Sequence, residues 1–159
     1  MEAPAYWGVA GHPISHSVTP KLFSIVGGAM GLVQAEQIFV EASSEGEFHS
    51  KVEMLSGDLW LSCTAPLKHS PHSRLGVQGP VGVNAINQLM RSNGVWKGAS
   101  TDGTGFVSAC RHIGVEPSSS ILRMRGGGST ARSIAAAWSS EGGSIIPEIG
   151  RRKLVKGPW

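Results

Sequence analysis

An α/β chain is predicted, with a parallel-sheet unit first and a shorter strand–turn–helix–strand unit after it. Two observations carry this. Short apolar runs at 5–10, 37–41 and 58–63 are separated by stretches of helical spacing, the alternation that a parallel sheet requires. A second strand-like run at 121–124 leads through RGGGSTAR into a helical segment and another strand. The expected division is 1–113 and 114–159.

The first strand, 5–10, runs into a turn at Gly11–Pro13. Thr19 and Pro20 mark a helix start, a capping hydroxyl followed by proline at the first helical position. Leu22, Phe23, Val26, Met30 and Val33 then recur at helical spacing, across a weakening Gly27–Gly28 pair. A strand at 37–41 precedes a helix over 45–55 carrying Phe48, Val52 and Leu55, and 58–63 returns to strand. Thr101–Gly105 opens a helix through Phe106, Val107, Cys110 and Ile113, with Gly114 as its stop. The stretch 115–120, VEPSSS, reads as a linker. Ser133–Trp138 is helical, and Ser144–Ile149 is the last strand.

With 159 residues, 40% hydrophobic and 16% charged, the chain has the composition of a globular protein. Its net charge of +3 is too small to argue for nucleic acid. The basic residues fall late, at Arg123, Arg125, Arg132, Arg151, Arg152, Lys153 and Lys156. That suits a phosphorylated ligand or a solvated face. Cys63 and Cys110 match no redox or metal spacing and read as small apolar residues in a reducing compartment. No signal peptide or membrane span is legible, so the expected location is cytoplasmic.

Five clusters carry the chemistry: GHPISHSVTP at 11–20, SCTAPLK at 62–68, AINQL at 85–89, STDGTGF at 100–106 and GGGSTAR at 126–132. Ser17 and Thr19 alternate around Val18, and two adjacent hydroxyls can receive a carboxylate. They also serve as a turn hydroxyl and a helix cap. Ser62 and Thr64 alternate in the same way around Cys63, and Pro66 shapes the turn before Lys68. Lys68 and Asp102 together can hold a hydroxyl and move its proton, or each is a surface charge. An ordinary lysine is a poor base at neutral pH and improves where burial disfavours its charge. Asn87, in an apolar segment, either ties a loop or reaches a ligand hydroxyl.

Gly126, Gly127 and Gly128 lie between a strand and a helix start, where backbone N–H groups can meet a diphosphate. No lysine stands where a nucleoside-triphosphate loop needs one. Arg151 and Arg152 follow the next strand, at the place where a dinucleotide fold inspects the adenosine ribose; arginine there suits the 2′-phosphate of NADP. His12 with His16, and His69 with His72, raise a metal site, but no further ligands complete either pair. No metal is expected.

Taken in order, the five clusters resemble the shikimate dehydrogenase family. Gly11–Pro20 is similar to its G-x-P-I-x-H-S-x-S-P motif, with Thr19 for the second serine. Ser62–Lys68 is similar to N-V-T-x-P-x-K, AINQL to A-V-N-T-L, Ser100–Gly105 to N-T-D-G-x-G, and GGGSTAR to G-A-G-G-T-A-R. The resemblance implies a parallel-sheet substrate-binding domain followed by a partial Rossmann-like NADP-binding domain. It implies that Ser17 and Thr19 bind the shikimate carboxylate, and that Thr64, Asn87 and Asp102 hold ring hydroxyls. Lys68, with Asp102, manages the proton during hydride transfer between substrate and nicotinamide. Gly126, Gly127, Gly128, Ser129 and Thr130 line the diphosphate, and Arg151 and Arg152 meet the 2′-phosphate. The implied reaction is reversible NADP-linked reduction of 3-dehydroshikimate to shikimate.

Two departures stand out. Serines at 62 and 100 replace family asparagines, which removes a two-ended hydrogen-bonding group at each place. Arg123 and Arg125 lie on a strand that is apolar in the family, in conflict with burial on both faces. The resemblance also implies that this chain ends inside the cofactor domain, leaving an unpaired strand edge and an expectation of association, as in a homodimer. Three other readings stay open: a quinate/shikimate dehydrogenase using NAD, a shikimate-binding remnant without turnover, and, on the late arginines alone, a nucleic-acid-binding module. No nucleic-acid or membrane partner is expected; a small-molecule substrate is.

Overall fold

A computed structural model describes residues 3–69 and 74–159. The chain divides into two compact units, Met1–Val77 with Ile86–Ala99, and Gln78–Ala85 with Ser100–Trp159. The division comes after Ala99 rather than after residue 113. The helix that begins at Asp102 sits in the second unit, where the Gly103 N–H donates to the Ser133 hydroxyl at 3.0 Å.

The first unit runs β1 (Tyr6–Gly11), α1 (Thr19–Met30), β2 (Glu36–Glu41), α2 (Glu45–Glu53), β3 (Leu59–Cys63), β4 (Gln88–Ser92) and β5 (Val95–Ala99). The strands form one sheet in the order β2-β1-β3-β4-β5. β1 is parallel to β2 and β3, whereas β3–β4 and β4–β5 are antiparallel. The β4–β5 hairpin adds an antiparallel edge to the expected parallel sheet. It closes through Asn93 and Gly94, whose φ values of 49° and 76° suit the tight turn that matches strand twist.

Alternation along β3 buries Leu59, Leu61 and Cys63 on one face, where Phe48 and Val52 of α2 complete the core. α2 starts because Ser44 Oγ accepts the Glu47 N–H, while the Glu47 carboxylate accepts from the Ser43 N–H at 2.9 Å, a reciprocal cap. At the other end of α2 the Arg91 guanidinium donates to the Val52, Leu55 and Gly57 carbonyls. Val52 lies in the last turn of the helix, and Leu55 and Gly57 lie just beyond it, where carbonyls outnumber helical donors.

α1 departs from expectation at its cap. It begins at Thr19, but the capping oxygen is that of Ser17, which accepts the Thr19 N–H at 3.2 Å. Its apolar stripe is outside the core: Leu22, Val26 and Met30 are each about half exposed. Only Gly27 of the helix is buried, and Phe23 stacks on Trp7 with ring centroids 5.3 Å apart.

The second unit contains α3 (Asp102–His112), a 3-10 turn (Pro117–Ser119), β6 (Ile121–Arg125), α4 (Ser129–Ser140) and β7 (Ser144–Glu148). β6 and β7 are parallel, so this is a strand–turn–helix–strand unit. Met124, Ala135 and Leu154 form its buried centre. Trp138 lies beside Phe106 and donates from Nε1 to the Ser144 carbonyl at 3.1 Å. The arginine conflict on β6 resolves through exposure. Arg123 points to solvent and meets Glu148 of β7 at 3.5 Å.

Candidate active site

In the first unit the sheet positions its chemistry at the carboxyl ends of β1 and β3. Two backbone bonds knit the loops after these strands: Thr64 N–H to the Ala10 carbonyl at 2.8 Å, and His12 N–H to the Ala65 carbonyl at 2.9 Å. Gly11 makes that approach possible. Its φ is +152°, and an added Cβ would stand 2.4 Å from the Thr64 methyl. The turn then continues with the Leu67 N–H donating to the Thr64 carbonyl at 2.8 Å, which presents Lys68.

The Lys68 carbonyl accepts the Ile86 N–H at 2.9 Å. One residue later, the Asn87 backbone accepts from the Cys63 N–H at 2.7 Å and donates to the Ala99 carbonyl at 3.0 Å. The backbone of Asn87 therefore ties β3 to the end of β5. Its side chain is buried, while Ser17, Thr19, Thr64 and Lys68 are half-buried. Burial pushes the Cys63 thiol up to about 12, and the Lys68 charge partly offsets the rise.

These residues are brought to one end of one sheet. A separate apolar cleft of about 390 Å³, lined by Phe23, Trp60, Gln88, Met90 and Lys97, includes none of them. At the same end as the loops, His12 Nδ1 lies 3.2 Å from Glu41 Oε1. His69 is half-buried, and His72 lies outside the described residues. Among the described residues no group of three or more His, Cys, Asp or Glu could hold a metal.

In the second unit the glycine turn joins β6 to the start of α4. Gly126 takes φ +105°. Gly127 is glycine for a packing reason: a Cβ there would meet the Lys153 carbonyl at 2.1 Å. Gly128 has nothing within 4 Å of the same position, so the turn is open at the residue that precedes α4. Arg132, one turn into α4, donates to the Gly127 carbonyl at 3.1 Å and to the Val83 carbonyl at 2.9 Å. Burial holds its guanidinium below the ordinary arginine range, and the nearby Arg152 charge adds to the effect. Arg151 and Arg152 are exposed and follow β7. Helix N-terminus and arginines together favour an anion.

Asp102 is the first residue of α3, and its Oδ2 accepts from the Thr130 hydroxyl at 2.7 Å. Sequence reasoning missed Ser133, which is buried and joins Ser100 to Gly103. The available signal was a serine on the α4 face that also carries Ala137. Both serines that replace family asparagines have internal partners: Ser62 Oγ accepts from Gln88 Nε2 at 3.4 Å, and Ser100 Oγ donates to Ser133 Oγ at 2.8 Å.

No family model matches the chain. Over 147 residues it is 31% identical to a protein of Xanthomonas campestris pv. campestris named shikimate dehydrogenase (NADP(+)), covering 86% of this chain. The chain belongs to the shikimate dehydrogenase family. It spans about half the length of the curated relatives it matches, 49% in that case. The fold agrees. Shikimate dehydrogenase from Aquifex aeolicus superposes with a TM-score of 0.78 at 22% identity, over 91% of this chain and 55% of that one. The Thermus thermophilus shikimate 5-dehydrogenase, solved in complex with NADP(H) and shikimate, gives 0.71 at 22% identity, over 91% and 55%. Among the described residues no helix is long and apolar enough to cross a membrane.

Proposed function

We propose that this family member binds shikimate and 3-dehydroshikimate and interconverts them with NADP as the redox partner. The observation that carries the reading is the knitted pair of loops after β1 and β3. It brings Ser17, Thr19, Thr64 and Lys68 to the sheet end where Asn87 enters β4. Ser17 and Thr19, at the start of α1, receive the substrate carboxylate, where hydroxyls and the helix terminus both favour an anion. Thr64, Asn87 and Asp102 hold ring hydroxyls.

Lys68, with Asp102, takes the proton of the reacting hydroxyl as that carbon is oxidised and returns it to the carbonyl oxygen in reduction. NADP, when bound, supplies or accepts the hydride. The open turn at Gly128 and the start of α4 fit its diphosphate, with Gly126, Gly127 and Ser129 shaping the turn. Arg151 and Arg152 follow β7 and suit the 2′-phosphate.

We place the protein in the cytoplasm. A homodimer is the assembly we favour, supported by the exposed apolar stripe of α1. Sedimentation of the purified chain tests that state directly.

The function is tested by adding shikimate and NADP to the purified chain and following reduced nicotinamide by absorbance. Turnover that is lost in Lys68→Ala supports the reading. Turnover that survives the substitution overturns Lys68 as the proton-handling group.

A further inference from the structure

We infer that Thr130 is a positioning residue for Asp102, not a ligand of the cofactor diphosphate. The inference rests on the proposed function, which gives Asp102 to the substrate and the turn before α4 to the cofactor. A threonine hydroxyl carries one proton. Here that proton is directed to Asp102 Oδ2 at 2.7 Å, in a bond strengthened by the carboxylate charge. Phosphate oxygens need donors, and a hydroxyl whose proton is engaged by Asp102 has none to offer them. The sequence motif assigns Thr130 to the diphosphate; the hydrogen bond assigns it to the other half of the chemistry.

The surroundings make this a built arrangement. Thr130, Ser133 and Ala137 lie three and four residues apart, so they share one face of α4. Ser133 accepts from the Gly103 N–H and the Ser100 hydroxyl. A Cβ on Gly103 would strike the Ser133 carbonyl at 2.2 Å and the Ala137 methyl at 2.8 Å. The start of α3 is therefore fixed on this face of α4, and Thr130 continues it one turn toward the glycine turn. Holding one carboxylate oxygen fixes the rotation of the Asp102 side chain, and with it the direction of the other oxygen. A group that must meet a substrate hydroxyl at hydrogen-bond distance gains from such support.

The test is calorimetric titration of the full chain with shikimate and, separately, with NADP, for the native protein, Thr130→Val and Thr130→Ser. Valine keeps the shape and removes the hydroxyl; serine restores it. The expected result is that valine weakens shikimate binding by about tenfold, leaves NADP affinity unchanged, and that serine recovers shikimate affinity. Loss of NADP affinity with shikimate binding intact would overturn the inference and return Thr130 to the diphosphate. No change for either ligand, or equal losses that serine does not recover, would overturn it as well. A native chain that binds neither ligand would sink the underlying site assignment, an outcome visible without any variant.

Discussion

Ser100 Oγ donates to Ser133 Oγ at 2.8 Å, and the same Ser133 oxygen accepts the Gly103 N–H at 3.0 Å. A serine where the family motif has asparagine is thus used inside the second unit, as a strut between the start of α3 and the middle of α4. The shorter side chain gives up an amide and gains a buried partner.

Ser133→Ala leaves the Gly103 N–H without its acceptor in a buried place. An unsatisfied buried donor costs about 1–3 kcal/mol. Urea unfolding followed by Trp fluorescence should show that loss, since Trp138 is buried in the same helix.

Gly11→Ala should disturb the first unit at its loops. The added methyl meets the Thr64 side chain at 2.4 Å, on a backbone of φ +152°. The expected destabilisation is about 1–3 kcal/mol, read by thermal melting. Weaker shikimate binding should accompany it, because Thr64 and the turn to Lys68 must shift.

Much of this arrangement was legible in the chain. The βαβ order of 5–63 followed from apolar spacing, and GGGSTAR fell between strand and helix as expected. The β4–β5 hairpin was hidden because β5 alternates weakly around Lys97 and Gly98, although Asn93–Gly94 was a usable turn signal. The α1 stripe was legible as a shared face, but helical spacing does not tell what covers it. Gly127 shows the same limit, since a glycine that looks phosphate-directed in sequence makes room for Lys153. The Thr130–Asp102 bond joins residues 28 apart, and no local pattern encodes such a pairing.

Cys63 and Cys110 should differ in reactivity. Burial pushes the Cys63 thiol up to about 12 from its ordinary 9.0, whereas Cys110 is only partly buried. Because the folded chain retains the Cys63 proton, this contribution to stability is fully present below pH 9.0 and is lost as pH rises through about 12. Mass-spectrometric labelling with a thiol alkylator at neutral pH should modify Cys110 first. Cys63 should react only when denaturant opens the sheet.

Glu47 sets the acid side of α2. Its bonds to Lys51 and to the Ser43 N–H and hydroxyl bring its carboxyl down to about 2 from 4.5. Its contribution is therefore present above pH 4.5 and lost as pH falls through about 2. The group is exposed, so the effect is small and salt-sensitive. Acid titration by circular dichroism should show a shallower pH dependence in Glu47→Gln across that window.

Which residues meet the substrate is read by backbone amide NMR of the full chain titrated with shikimate. Shifts should concentrate at Ser17, Thr19, Thr64, Lys68, Asn87 and Asp102 and saturate together. Shifts that are absent, or that gather instead at the apolar cleft lined by Phe23, Trp60 and Met90, would contradict the proposed site.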